Sequence, residues 1–216
     1  IRRRLQTNAV AVTAPLGQGE SFAGVLDLIS GETLTFDPAD QGRTVLRVPF
    51  SPREATLAAP WRETLLEKLA EADDKFLELW MEGSFSREDV RAALRRATLS
   101  RALTPVLCGS ALRNAGVQPV LDAVCDYLPS PLDVPAPVGR DAQGREEAVE
   151  PDPDAPPVAL VFKVLMENGR KLSFLRLYAG QIREGDSLRN VTRKSDDRVG
   201  RIFRLHADRR EQLESA

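Results

Sequence analysis

The chain has 216 residues, 42% apolar and 29% charged, and its 30 Lys and Arg against 32 Asp and Glu leave a formal net charge of −2. At roughly 100–200 residues per domain this length allows one large domain or two smaller ones, and the near-neutral balance excludes wholesale wrapping of nucleic acid, so any such contact is local. Apolar runs fall far short of the roughly 20 residues of a membrane span and no charged-then-apolar leader opens the sequence, so the expectation is a soluble, cytoplasmic protein with no membrane partner.

Ile1-Arg-Arg-Arg-Leu-Gln-Thr7 reads as the tail of a helix that begins upstream, which makes a piece of a longer chain the expectation. Residues 8–14 and 22–29 read as short strands rich in Val, Ile and Leu, with a further strand over 44–48. The turn between the first two holds Gly17-Gln-Gly19, but it lacks a third glycine and leads into a strand, so the dinucleotide fingerprint does not apply.

Over residues 60–82 the period lengthens: Leu65, Leu69, Ala72, Phe76 and Trp80 recur every three or four positions, predicting a long amphipathic helix with Pro60 near its start. Its other side carries Glu63, Glu67, Glu71, Asp74, Glu78 and Glu82, with little internal pairing beyond Glu71 and Lys75; it is either a solvated face or a surface for a basic partner. Ser86-Arg-Glu-Asp89 is a capping box that starts a second helix reaching about residue 98, with Phe85 placed to staple onto Val90. Val90, Leu94 and Ala97 face the core, and Arg87, Arg91 and Arg95 form a basic row, solvated or lying beside the acidic helix.

Residues 105–131 read as an apolar strand, a Gly109-Ser110-Ala111 turn, an amphipathic helix and a proline stop. Free backbone N–H groups at such a turn can meet an acceptor at the carboxyl edge of a sheet, and guanine offers O6 where adenine has an amino group. Taken alone, the same pattern serves to reverse the chain in many α/β proteins. Cys108 and Cys125 fit buried thiols of a reducing compartment.

The stretch from Pro129 through Pro157 is proline-rich and polar, a semi-rigid connection and the expected domain boundary. Beyond it, residues 158–164, 172–178, 187–191 and 199–205 read as strands of an antiparallel barrel or sandwich, too few to close a barrel.

Pro105-Val-Leu-Cys-Gly-Ser-Ala-Leu112, Gly116-Val-Gln-Pro119, Leu121-Asp-Ala-Val124 and Asp126-Tyr-Leu-Pro-Ser-Pro-Leu-Asp-Val-Pro135 together carry a specific resemblance to the elongation factor G family of translational GTPases. Phe22-Ala-Gly-Val-Leu-Asp27, Leu79-Trp-Met-Glu-Gly83, residues 92–98, Phe162-Lys163, Tyr178-Ala-Gly180 and His206-Ala-Asp-Arg-Arg-Glu211 extend it along essentially the whole chain. The fold this implies is mixed: an inserted α+β subdomain and the last strand–helix unit of a P-loop α/β GTPase domain, then a partial antiparallel β-barrel. The implied boundaries are 1–7 for a helix tail of the GTPase domain, 8–100 for the G-prime insertion and 101–128 for the closing strand and helix. A linker follows over 129–156, then the start of domain II over 157–216.

By the same resemblance Gly109, Ser110, Ala111 and Leu112 bind the guanine base, with the Ser110 and Ala111 amides as donors. Glu63, Glu67, Glu71 and Asp74 face the basic domain of the ribosomal stalk protein. The implied partners are the ribosome, through small-subunit RNA at domain II and the stalk at the insertion, and GTP or GDP with magnesium in the parent; the implied role is ribosomal translocation in protein synthesis.

No Gly-x-x-x-x-Gly-Lys-Ser/Thr loop and no Asn-Lys-x-Asp motif occurs in the chain, so the piece alone is expected to bind no cofactor and to hydrolyse no GTP. The single histidine, His206, sits among basic residues and reads as structural or as an RNA neighbour. Arg193-Lys-Ser-Asp-Asp-Arg198 and Met166-Glu-Asn-Gly-Arg-Lys171 depart from the family pattern. They leave open a paralogue for ribosome rescue, recycling or antibiotic protection, while a stand-alone, non-enzymatic binding module is a third reading.

Overall fold

The computed structural model describes residues 2–141, 143–167, 169–206 and 209–216. Contacts divide the chain into two units, Ile1–Pro129 and Ser130–Ala216.

In the first unit a short helix, α1 (Arg2–Leu5), precedes β1 (Ala9–Ala11), β2 (Thr13–Leu16), β3 (Gly24–Asp27), β4 (Glu32–Phe36) and β5 (Val45–Pro49). Strands β2 to β5 form an antiparallel meander in chain order. The single strand expected over 8–14 is two strands that change sheet at Val12: its N–H donates to Val106 O at 2.8 Å, while its carbonyl accepts from Leu28 N at 3.1 Å. Strand β4, which the alternation of Glu, Thr and Leu conceals, is a central strand that buries Thr33 and Leu34.

Helix α2 (Pro52–Ala72) begins well before Pro60. Ser51 caps it, accepting from Glu54 N while Glu54 returns a carboxylate to the Ser51 N–H at 2.8 Å, and Pro52 stands at the first helical position, where its missing N–H costs nothing. Pro60 lies inside the helix, where it removes one intrahelical donor. The expected single helix is also broken at Asp73, whose backbone is extended (φ −144°, ψ 104°), and α3 (Asp74–Glu82) follows.

The break has a chemical cause. The Asp73 carboxylate caps α3 by accepting from Phe76 N at 2.8 Å, and Arg96 of α4 (Arg87–Leu99) grips the same carboxylate through Nε at 2.6 Å and Nη2 at 2.8 Å. Bidentate, charge-assisted bonds of this kind are about twice as strong as neutral ones. The Arg96 hydrogen bond, chiefly, holds the Asp73 carboxyl below its ordinary value of 3.8. A carboxyl whose native pKa is depressed stabilises the fold fully above its unfolded value and loses that contribution as pH falls through the native one. In thermal melts from pH 7 downward, wild type is therefore expected to unfold at a higher temperature than Arg96→Ala, with the gap closing below about pH 4. A gap that stays constant into strong acid would show that the ion pair does not lock the break.

The core gathers Val10, Val12, Leu26, Leu28 and Ile29 from the strands, Leu65 and Leu69 from α2, Phe76 from α3, and Val90, Ala93, Leu94 and Ala97 from α4. Phe85 stands beside Phe76, ring centroids 5.4 Å apart in an edge-on arrangement, and Ser86 and Asp89 form the expected capping box. Trp80 is half out of the core, 37% exposed. Strand β6 (Thr104–Val106) pairs in parallel with β1, and α5 (Val117–Tyr127) ends the unit's regular structure.

The second unit is built of hairpins. The proline-rich stretch contains one, β7 (Val138–Arg140) with β8 (Glu146–Ala148). Then β9 (Val158–Glu167) pairs with β10 (Arg170–Ala179), β11 (Ser187–Asn190) with β12 (Ser195–Arg198), and β13 (Ile202–His206) with β14 (Arg209–Leu213). Strands β12 and β14 are polar and lie outside the strands expected from sequence. Opposite charges stand directly across the ladder, Arg189 to Asp196 at 3.2 Å and Arg204 to Glu211 at 3.6 Å. Among the described residues of this unit the strands form two-stranded sheets and no closed barrel.

Candidate functional site

Beyond β6 the chain is pinned before it turns. Cys108 is not within a strand; its N–H donates to Thr13 Oγ1 at 3.0 Å, and the thiol lies 3.5 Å from the same hydroxyl. Burial pushes the Cys108 thiol up, which keeps it protonated and poorly nucleophilic. Cys125, expected to be buried, is exposed on α5.

Gly109 then brings the strand exit onto the start of α5. A Cβ at Gly109 would stand 2.6 Å from Ala115 O, and one at Gly116 (φ +87°) would stand 2.8 Å from Cys108 O and 2.9 Å from Gly109 Cα. The two glycines touch backbone to backbone, an approach that any side chain blocks. Between them Ser110 N–H donates to Ala115 O at 2.7 Å and Ala115 N–H returns to Ser110 O at 3.0 Å. A short 3₁₀ turn, Ala111–Arg113, closes with Asn114 in the left-handed region (φ 51°).

This bridge sorts the expected donors. The Ser110 amide is engaged inside the turn, whereas among the described residues no protein acceptor meets the Ala111 or Leu112 amide. Both residues are exposed, and the Leu112 side chain stands free of the protein. The turn thus presents two adjacent N–H groups and an apolar side chain on a rigid base, enough to hydrogen-bond a carbonyl-type acceptor and cover a flat ring.

The acidic residues fall into two groups. Glu63, Glu67 and Glu71 are exposed along α2, and Asp74 is exposed beyond the break at the start of α3. Glu71 pairs with Lys68 of its own helix, in place of the expected Lys75. Among the described residues the ion pair between α4 and the break in the acidic helices is made by Arg96, which lies outside the basic row, and Arg95 of that row donates to Asp126 O at 2.6 Å. No hydrogen bond or ion pair among the described residues joins the acids to the Gly109–Leu112 turn.

A groove in the first unit, lined by Asp27, Arg47, Arg91, Asp122, Asp126 and Tyr127, carries charges of both signs. Burial, chiefly, raises the Tyr127 phenol to about 12, so it exchanges no proton near neutrality. Among the described residues no group of three or more His, Cys, Asp or Glu is placed to hold a metal ion, and no helix is long and apolar enough to cross a membrane.

Sequence reasoning missed the contacts behind the turn. Asn114 Nδ2 donates to Gln41 O at 3.1 Å and Gln118 Nε2 to Gly42 O at 2.6 Å, so the β4–β5 connection backs the turn. The sequence carried a partial signal for that connection, an Asp37-Pro-Ala-Asp40 run of turn formers followed by Gln-Gly.

No protein-family model matches the chain. It is 44% identical over 220 residues to elongation factor G 2 of Geobacter metallireducens, covering all of this chain and 32% of that protein. To elongation factor G of Neorickettsia sennetsu it is 41% identical over 214 residues, covering 98% of the chain and 31% of the relative. A crystal structure of a Thermus thermophilus protein superposes with a TM-score of 0.73 at 25% identity, over all of this chain and 29% of that one. The chain thus spans about a third of the length of the curated relatives it matches.

Proposed function

We propose, on the premise that the chain belongs to the elongation factor G family along its whole length, that it forms the base-recognition and partner-facing part of a translational GTPase. The observation that carries this reading is the glycine-locked turn with Ala111 exposed and its amide without a protein acceptor among the described residues. In the proposal Ala111 N–H donates to guanine O6, which adenine cannot offer, and Leu112 packs beside the ring. GTP is the substrate, and its phosphates are held by residues outside the 216, since these contain no phosphate loop. Magnesium has no fitting ligand set among the described residues, and no step of this chain runs through it.

Two contacts with the ribosome complete the reading: Glu63, Glu67, Glu71 and Asp74 face the basic domain of the stalk protein, and the second unit meets small-subunit RNA, in the service of translocation. For the stalk contact, reversing Glu67 and Glu71 to Lys in the intact GTPase is expected to slow ribosome-stimulated turnover about tenfold at low salt and to flatten its salt dependence. Unchanged kinetics at low salt would sink the contact.

The base reading is tested by titrating a GDP analogue and the diphosphate of 2-aminopurine riboside, which lacks O6 and with it the N1 proton, into the intact GTPase with magnesium. A hydrogen bond to a buried acceptor contributes roughly 1–3 kcal/mol, so the O6-less nucleotide is expected to bind about 10–100-fold more weakly. Equal affinities would overturn the assignment of Ala111. Titrated alone, the 216-residue chain is expected to bind neither nucleotide.

A further inference from the structure

We infer that the β4–β5 connection, residues 37–44, is a brace that sets the guanine turn, with Gln118 and Asn114 as positioning residues for the Ala111 amide; this rests on the base-binding reading given above. The brace is preformed. Asp37 Oδ1 accepts from Ala39 N at 2.8 Å, and Gly42 N donates to Asp37 O at 2.7 Å. Asp40 accepts from Arg43 N and Thr44 N, each at 2.9 Å, and from the Thr44 hydroxyl. Gln41 (φ 61°) and Gly42 (φ 73°) are both left-handed, which aims successive carbonyls out of the connection.

Those carbonyls meet the back of the turn. Asn114, the residue that closes the 3₁₀ turn, donates to Gln41 O, and Gln118, in the first turn of α5, donates to Gly42 O. A Cβ at Gly42 would stand 2.7 Å from Asn114 O and 2.8 Å from Arg113 O, so the two backbones are in direct contact. Gln118 Oε1 is buried with no partner among the described residues, where the bond to Gly42 is the hydrogen bond that orients its amide. Plain loop packing needs none of these features. Their combination fixes Asn114 and α5, the two elements on which the Ala111–Arg113 turn is hung, and it does so from the insertion and not from the sheet that carries β6.

The test uses Gln118→Leu and, at a half-buried position, Asn114→Ala. In the intact GTPase each is expected to weaken GDP about tenfold while shifting the 2-aminopurine diphosphate less than about twofold, because only the O6 bond depends on where the Ala111 amide points. Equal weakening of both nucleotides, or of neither, overturns the brace. In the 216-residue chain itself, hydrogen exchange of the Ser110 and Ala115 amides is expected to quicken about tenfold or more in both variants; unchanged exchange overturns the brace as well. A wild-type GTPase that does not discriminate between the two nucleotides would remove the guanine reading, and the exchange result then decides the brace on its own.

Discussion

Replacing Phe76 with alanine is expected to destabilise the first unit by about 3–5 kcal/mol, the range for deleting a fully buried phenylalanine. Phe76 has no exposed surface. It sits one turn past the Asp73 break, where its N–H is held by the cap and its ring by Phe85, so the surroundings that would have to collapse into the cavity are themselves pinned. For a unit of this size the loss corresponds to a fall in melting temperature of roughly 10 °C or more. Trp80→Ala, at the partly exposed end of the same helix, is the comparison and should cost far less. A Phe76 loss under about 1 kcal/mol would show that the break between α2 and α3 is slack and can refill the space.

Gly116→Ala is expected to cost about 2–5 kcal/mol. The left-handed backbone contributes roughly 1–2 kcal/mol for any residue with a Cβ, and the collision with Cys108 O and Gly109 Cα contributes an overpacking cost of about 1–3 kcal/mol. Gly19→Ala carries the first effect alone, because Gly19 is also left-handed (φ +58°) but has nothing within 4 Å of where its Cβ would be. Chemical unfolding of the two variants should differ by the collision alone, and equal losses would mean that the glycine contact yields without strain. In the GTPase proposed above, the same substitution is expected to part β6 from α5 and to weaken guanine binding together with stability.

Much of this architecture can be read from local chemistry. The Ser86 and Asp89 box and the buried stripe of Leu65, Leu69 and Phe76 depend on residues a few positions apart, so spacing reveals them. The Ser51-Pro-Arg-Glu54 box is just as local; Pro60 masks it by looking like a first helical residue when it is an interior one. The break at Asp73 is different in kind: the apolar period runs straight through it, and the Asp73 carboxylate that caps α3 is also gripped by Arg96, more than twenty residues away. Strands β12 and β14 are concealed because they set charges across the ladder and carry no apolar alternation. At the candidate site the motif marks Gly109 to Leu112 correctly as a turn, but which amide stays free depends on Ala115, and what stands behind the turn depends on Gln41 and Gly42. Neither dependence has a local period.

The parallel pairing of β1 with β6 has a bearing on how the molecule comes together. Strands β2 to β5 pair with their neighbours in chain order, whereas Ala9 pairs with Thr104, and Thr13 meets Cys108, 95 positions later. Contacts between distant positions bear the entropy of closing a long loop and form slowly. During synthesis, the strands and helices between Thr13 and Ala102 emerge before Thr104 exists, and the Gly109–Leu112 turn is added onto a β4–β5 connection that already carries its own hydrogen bonds. The proposed base-recognition segment is thus a later addition whose geometry leans on parts made before it.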